Sequence, residues 1–560
     1  MRSAVNSPKP AIVTLRGARR LPRGALLALC AAYILPGLIG RDPWRGPELI
    51  AFGQMSAMAE GRTSWWAPLL GGVAADTALL SHWLGAIFIK AGAGLIDPAL
   101  AARLPFAVLL TLTLALVWYS TFHLARTEAA QPVPFAFGGE AKPVDYARAM
   151  ADGAVLALMA TLGLLLPGHQ TTPELLQLTA TALFLYGLAA APYRQAQARL
   201  AMMLALPLLA GSGAPSMAMA MGAGALVVCS LSRYAEVRAL VPWLALACAA
   251  AAVLAQTLGA WRWRTEFLPT SELPALARQW LWFMWPVWPM ALWTLWHWRR
   301  QLTHRHLAVP LLTVTVALLS NLAMAGSDTA LMLGLPGLAV LAAFALPTLK
   351  RSASASIDWF SMFLFTGVAL WFWLVYLAMQ TGFPAWQARN IGKLVVGYEA
   401  DFNVVELVLA ALATLAWLWL LRWRTGRHRE AVWKSLVLPA AGVALCWLLL
   451  MSLWLPALDH ARSGRPLVQK LTAQVPPSQC LAAPGLSPST VAALEVFGRY
   501  TVQAGPDAAH SGCEVLIKVV RTRSLPPAPE GWILLTQLQR PSDREELTLI
   551  YRREGQKPRP

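Results

Sequence analysis

Residues 104–125 read LPFAVLLTLTLALVWYSTFHLA and contain no Asp, Glu, Lys or Arg. A run of that length and polarity reads as a membrane-spanning helix, because about 20 apolar residues cross the roughly 30 Å hydrocarbon core of a bilayer. Comparable runs recur along the 560-residue chain, of which 57 % is hydrophobic and 13 % charged. A soluble protein carries about 25 % charged residues. This much apolar sequence cannot be buried in ordinary soluble cores. A disordered chain, a coiled coil and a soluble nucleic-acid binder are excluded on the same ground. The expectation is an α-helical polytopic membrane protein with about thirteen spans. They lie near 24–40, 104–125, 150–167, 175–192, 200–212, 215–232, 239–260, 280–298, 307–325, 329–348, 359–380, 405–421 and 437–456.

The cations orient the chain. Lys and Arg number 46 against 28 Asp and Glu, a net charge of +18. With the N-terminus inside, the cytoplasmic segments hold cations at roughly three times the density of the outer loops, as the positive-inside rule requires. Arg299, Arg300 and Arg305, then Lys350 and Arg351, then Arg422 to Lys434 lie on that side. An odd span count then places the C-terminus outside. Arg16, Arg19, Arg20 and Arg23 precede the first span, no A-x-A cleavage site follows it, and it reads as an uncleaved signal-anchor. The implied location is a bacterial-type inner membrane, N-terminus cytoplasmic, with a periplasmic or extracellular C-terminal part.

Two domains are expected. Residues 1–456 form the membrane part, including a first outer loop at 41–103, in which Thr77–Gly94 reads as a helix on the membrane surface despite His82 and Lys90. Residues 457–560 read as a small extracytoplasmic α/β domain. Gln479–Ala483, Val515–Val520, Trp532–Gln537 and Leu547–Arg552 are candidate strands and Ser489–Phe497 a candidate helix. Cys480 and Cys513 are the only cysteines in this part, and an isolated pair outside the membrane favours a disulfide. Cys30, Cys229, Cys248 and Cys446 fall in spans, as small apolar residues do.

The first loop carries the chemistry. It leaves the membrane as Gly40-Arg41-Asp42-Pro43-Trp44-Arg45-Gly46-Pro47-Glu48, and Gly61-Arg62, Trp65-Trp66 and Pro68 follow. A carboxylate at the interface among cations and indoles can deprotonate a hydroxyl while the cations hold a phosphate; the alternative is a solvated turn that ends the span. Nine tryptophans between Trp261 and Trp298 read first as an aromatic belt. They could instead wall a lipid groove, with Arg262 and Arg264 near a phosphate.

These residues carry a resemblance. A first span, then D-x-x-R-x-x-E at Asp42, Arg45 and Glu48, then an apolar surface helix and Arg103-Leu104-Pro105 opening the second span, is similar to the GT-C glycosyltransferases that use lipid-linked sugars. The aminoarabinose transferases of lipid A and the dolichyl-phosphate-mannose protein mannosyltransferases are of this kind, and the layout resembles the former most. The resemblance implies transfer of a sugar from a polyprenyl phosphate to a lipid, glycan or protein acceptor on the outer face. Asp42 would be the acid–base residue with Glu48 beside it. Arg45, Arg62, Lys90 and Arg103 would serve the donor phosphate. The chain departs from the family where an acidic-Lys-Pro sequence is usual: Ala75-Asp76-Thr77-Ala78 keeps only the acid. A family Asp-Pro is replaced by Thr172-Pro173, with His169 and Glu174 as the nearest polar groups. Gly326-Ser327-Asp328 stands where a Lys is usual. This marks a divergent member, in which Asp76, His169 or Glu174 could be accessory. No cofactor is required; Asp42, Glu48 and His169 could hold a divalent metal, although no ligand spacing supports one. Two rival readings are a lipid or polysaccharide transporter and a catalytically silent membrane protein with a partner-binding tail. Polar residues are nearly absent from the spans, which counts against the transporter.

Overall fold

A computed structural model describes residues 13–74, 78–133, 139–261, 266, 269–425, 431–477, 479–521, 527–540 and 545–554. The chain is a multi-pass, mostly helical membrane protein with a small sheet near its C-terminus. Among the described residues six helices are long and apolar enough to cross a membrane: Pro98–Ala125, Ala235–Thr257, Arg305–Ala323, Arg351–Thr381, Val404–Thr425 and Val432–Leu453. A seventh is formed if Pro143–Ala160 and Leu162–His169, bent by 75°, count as one span. By that test the expected thirteen is not reached, because backbone breaks cut several apolar runs. The first run keeps a helix only over Arg23–Ile34. The run at 280–298 is split by Pro286 into Leu273–Phe283 and Val287–His297. The run at 329–348 is divided into Asp328–Met332 and Leu335–Ala345. A helix of 11 residues, such as Val287–His297, rises only about 16 Å at 1.5 Å per residue.

The contacts divide the chain into two compact units. The first comprises Met1–Pro36, Phe106–Leu370 and Val408–Leu449. Its helices approach closely through small residues, as membrane helices do. At Gly337 an added Cβ would stand 2.2 Å from Thr313 Oγ1 and 2.6 Å from the Pro310 carbonyl oxygen. Asp152, buried in the nearly all-buried helix Pro143–Ala160, accepts hydrogen bonds from Trp118 Nε1 (2.8 Å) and the Leu21 N–H (2.8 Å).

The second unit comprises Gly37–Pro105, Trp371–Leu407 and Leu450–Pro560. Its elements up to Pro105, in chain order, are α1 (Pro47–Ala59), β1 (Leu69–Leu70), β2 (Val73–Ala74), α2 (Leu79–Ala91) and the start of α3 (Pro98–Ala125). After the last span come α4 (Leu455–Arg462), α5 (Arg465–Thr472), β3 (Cys480–Ala482), α6 (Pro488–Gly498), β4 (Thr501–Gln503), β5 (Val515–Arg521), β6 (Trp532–Gln539) and β7 (Glu546–Arg553). The sheet runs β4-β3-β5-β7-β6, with β3 parallel to β4 and β5 and the remaining pairs antiparallel. Alternating apolar residues put Val515 and Ile517 of β5 on one face. There they meet Val491 and Leu494 of α6. Ser487 caps α6 by accepting the Thr490 N–H, and Pro488 occupies its first position. Leu49 of α1 and Leu70 of β1 belong to the same buried cluster, so the first loop and the tail share one core. At Gly53 of α1 an added Cβ would stand 3.0 Å from Ala492 Cβ. Strands or helices occupy every tail segment where the sequence suggested one; β4, α4 and α5 were not anticipated. The Cα atoms of Cys480 and Cys513 stand 5.0 Å apart, a separation that a disulfide spans.

Candidate active site

The site begins where the first loop leaves the membrane. Gly40, at φ 74°, and Gly46, at φ 102°, take backbone conformations that favour glycine. Between them run Arg41 to Arg45. Pro47 then starts α1, and Glu48 lies in its first turn, where the helix dipole favours an acid. Glu48 Oε2 accepts the Trp44 N–H (3.2 Å), closing the loop onto the helix. Glu48 Oε1 accepts from Arg41 Nη2 (2.5 Å) and stands 3.7 Å from Arg103 Nε. Arg103 Nη1 donates to the Arg41 carbonyl (2.5 Å). Asp97 sets this arginine by capping α3, its Oδ1 accepting the N–H groups of Ala99 (2.9 Å) and Leu100 (3.0 Å). Arg41, Glu48 and Arg103 are all buried, so two cations and one anion are sealed together.

The tail closes over this loop. Trp44 pairs with Ser463 in an antiparallel bridge, and the Arg45 N–H donates to the Arg462 carbonyl (3.1 Å). Asp459 Oδ1 accepts both the Asp42 N–H (2.9 Å) and Trp44 Nε1 (3.0 Å). The Trp44 ring lies under two guanidinium groups, Arg41 at 4.6 Å and Arg462 at 5.1 Å. The Asp42 carboxylate is gripped on both oxygens. Arg465 Nε donates to Oδ2 (2.8 Å), Arg465 Nη2 to Oδ1 (2.6 Å) and Ser463 Oγ to Oδ2 (2.7 Å). Burial raises the Asp42 carboxyl, but the bonds from Arg465 and Ser463 and the charges of Arg465 and Arg103 outweigh it. The net direction is down from the ordinary carboxylate value. Asp459 moves the other way: burial and the neighbouring Asp42 charge raise it above its ordinary value. Two neighbouring carboxyl groups are thus shifted in opposite directions by their surroundings.

The other expected residues are placed differently. Arg45 is partly exposed, 4.0 Å from Glu546. Arg62 is engaged by two acids, Glu60 at 2.7 Å and Glu495 at 3.6 Å. Lys90 is exposed in the last turn of α2. Asp76, Arg262 and Arg264 lie outside the described residues. His169 belongs to the first unit. Its Nδ1 and Nε2 stand 2.5 Å and 2.7 Å from the carbonyl oxygens of Leu165 and Tyr33, and its ring packs on Trp447 at 4.5 Å. Glu174 is in the first turn of Pro173–Ala190. Asp42, Glu48 and His169 form no metal cluster: among the described residues no three His, Cys, Asp or Glu side chains gather to hold an ion. The structure thus joins Asp42, Glu48 and Arg103 and adds Arg41, Asp459, Ser463 and Arg465. The last three were missed. One signal was present: Asp459-His460-Ala461-Arg462-Ser463-Gly464-Arg465 follows the last span much as Arg41 to Glu48 follows the first.

No family model matches the sequence, and no curated protein does. Solved structures match its fold, two structures of one protein among them. ArnT from Cupriavidus metallidurans bound to undecaprenyl phosphate superposes with a TM-score of 0.56 at 14% identity, over 94% of this chain and 97% of that one. Its apo structure gives a TM-score of 0.59 at 14% identity, over 94% and 98%. The chain therefore has the ArnT fold, and this is the fold the first-loop motif and the span layout implied.

Proposed function

We propose that this protein is a membrane glycosyltransferase, moving a sugar from a polyprenyl-phosphate donor to an acceptor on the outer face of the inner membrane. The observation that carries the reading is a largely buried carboxylate, Asp42, gripped by Arg465 and in the field of Arg103, on a chain with the fold of a protein that binds undecaprenyl phosphate. The reaction needs few groups. The acceptor hydroxyl gives its proton to Asp42 as its oxygen bonds to the anomeric carbon. The bond from that carbon to the phosphate oxygen breaks, and the electron pair leaves on the phosphate. One displacement inverts the anomeric centre. Nearby guanidinium groups stabilise the charge that builds on the leaving phosphate. Asp459 orients the loop by holding the Asp42 N–H and the Trp44 indole. The sealed trio of Arg41, Glu48 and Arg103 fixes the loop from behind, and Glu48 in this arrangement supports the site without meeting substrate.

The test is sugar transfer by the purified protein in detergent, supplied with polyprenyl-phosphate sugars and extracted envelope acceptors. Asp42→Asn is nearly isosteric and should lose about 10²–10⁴-fold in turnover while the protein stays folded. Transfer by this variant at close to the wild-type rate would remove Asp42 from the base role.

A further inference from the structure

Three arginine side chains stand around the loop that carries Asp42 in different ways. Arg41 and Arg103 are sealed behind the loop, with side chains 1% and 4% exposed. They stabilise the pocket by their field, but an arriving ligand cannot reach them without opening the core. Arg465 differs. Half of its side chain is exposed, whereas its partner Asp42 is 15% exposed. Its guanidinium also rests 4.7 Å from the Phe497 ring centroid, a second favourable contact that does not depend on Asp42.

The grip on Asp42 conflicts with the base role. A planar arginine fork on both carboxylate oxygens is a strong, charge-assisted arrangement. A carboxylate held that way has little affinity for a proton. The fork that fits a carboxylate equally fits two oxygens of a phosphate, and it cannot grip both. The two requirements are met by one movement.

We propose that Arg465 is a ligand of the donor's phosphate, parked on Asp42 in the free enzyme, and that its transfer to the phosphate frees the Asp42 carboxylate to act as base. The parked state keeps the base quiet when no donor is bound. Phe497 gives the guanidinium a surface on which to turn. Ser463 stays on Asp42 Oδ2 and holds the carboxylate in place after the arginine leaves. The inference rests on the phosphate-linked donor of the proposed reaction. It is tested by binding, so it can fail while transfer stands, and stand while transfer fails.

The experiment measures equilibrium binding of undecaprenyl phosphate, and separately of inorganic phosphate, to the full-length protein in detergent. Arg465→Ala should weaken undecaprenyl phosphate binding by about 10- to 100-fold, the scale of a charge-assisted pair. Asp42→Asn should tighten it several-fold, because Arg465 loses its competing anion. That gain should vanish in the double variant, where no Arg465 is left to release. Binding by Arg465→Ala within twofold of wild type overturns the proposal. So does an Asp42→Asn gain that persists at full size without Arg465, which would mark simple charge repulsion. If Arg465→Ala does not fold, Asp42→Asn decides alone: unchanged or weaker binding overturns the proposal. Inorganic phosphate binding as tightly as the lipid would overturn the lipid as its source.

Discussion

Glu48→Gln separates the support of the site from its chemistry. Glu48 is fully buried, 2.5 Å from Arg41 Nη2 and 3.7 Å from Arg103 Nε, and both arginine side chains are at least 96% buried. The amide keeps the shape and can still accept the Trp44 N–H. It removes the negative charge that Glu48 sets between two guanidinium groups in a low-dielectric core. Breaking a buried ion pair by removing one partner costs about 3–5 kcal/mol, a large part of the 5–15 kcal/mol that holds a typical domain. For a unit of 150–250 residues this lowers the melting temperature by roughly 6–20 °C. Asp42→Asn is the control. The cation it releases, Arg465, is half exposed and already solvated, so that loss is about 0–1 kcal/mol. Heating the two purified variants in detergent and measuring the folded fraction by gel filtration ranks them. Glu48→Gln should melt far below wild type and Asp42→Asn close to it. Arg41→Gln added to Glu48→Gln should cost less than the two singly, since the two side chains act on one another. A Glu48→Gln variant melting within about 2 °C of wild type would show that the trio is not a buried ion pair.

Alkaline-phosphatase fusions after Pro456 should be active and those in the Arg422–Lys434 loop silent; the reverse pattern would put Asp42 on the cytoplasmic side. Cys480 and Cys513 should be bridged in the purified, unreduced protein, closing a loop of sequence separation 33 for roughly 3–4 kcal/mol in the chain-entropy model. Mass spectrometry finding two free thiols would refute it. The acid limb of kcat/KM should lie below the ordinary carboxylate range, because Arg465 and Ser463 hold the Asp42 carboxyl down and the base stays ionised into acid. Arg465→Ala removes two of those bonds and one charge, so the limb should move to higher pH, with Asp459, Arg103 and Ser463 still facing the group. An unmoved limb would assign it to another residue.

The tail strands could be read from the sequence because β5, β6 and β7 are runs of apolar residues bounded by turns, and that is a local signal. The first-loop half of the site could also be read, since Asp42 and Glu48 are acids in an otherwise apolar exit. Their division of labour could not. Sequence placed Glu48 beside Asp42 in the catalytic pair; the burial of Arg41 and Arg103 around it turns it into the anchor. The tail half was harder to read for a different reason. Ser463 and Arg465 reach Asp42 across 421 and 423 residues, and nothing local to either segment encodes that pairing. It depends on the exits of the first and last spans running side by side. Gly37 permits this. It has φ 80°, a conformation that favours glycine, and a Cβ there would stand 2.9 Å from Met451 Sδ, so another residue would strain the backbone and make that side chain shift.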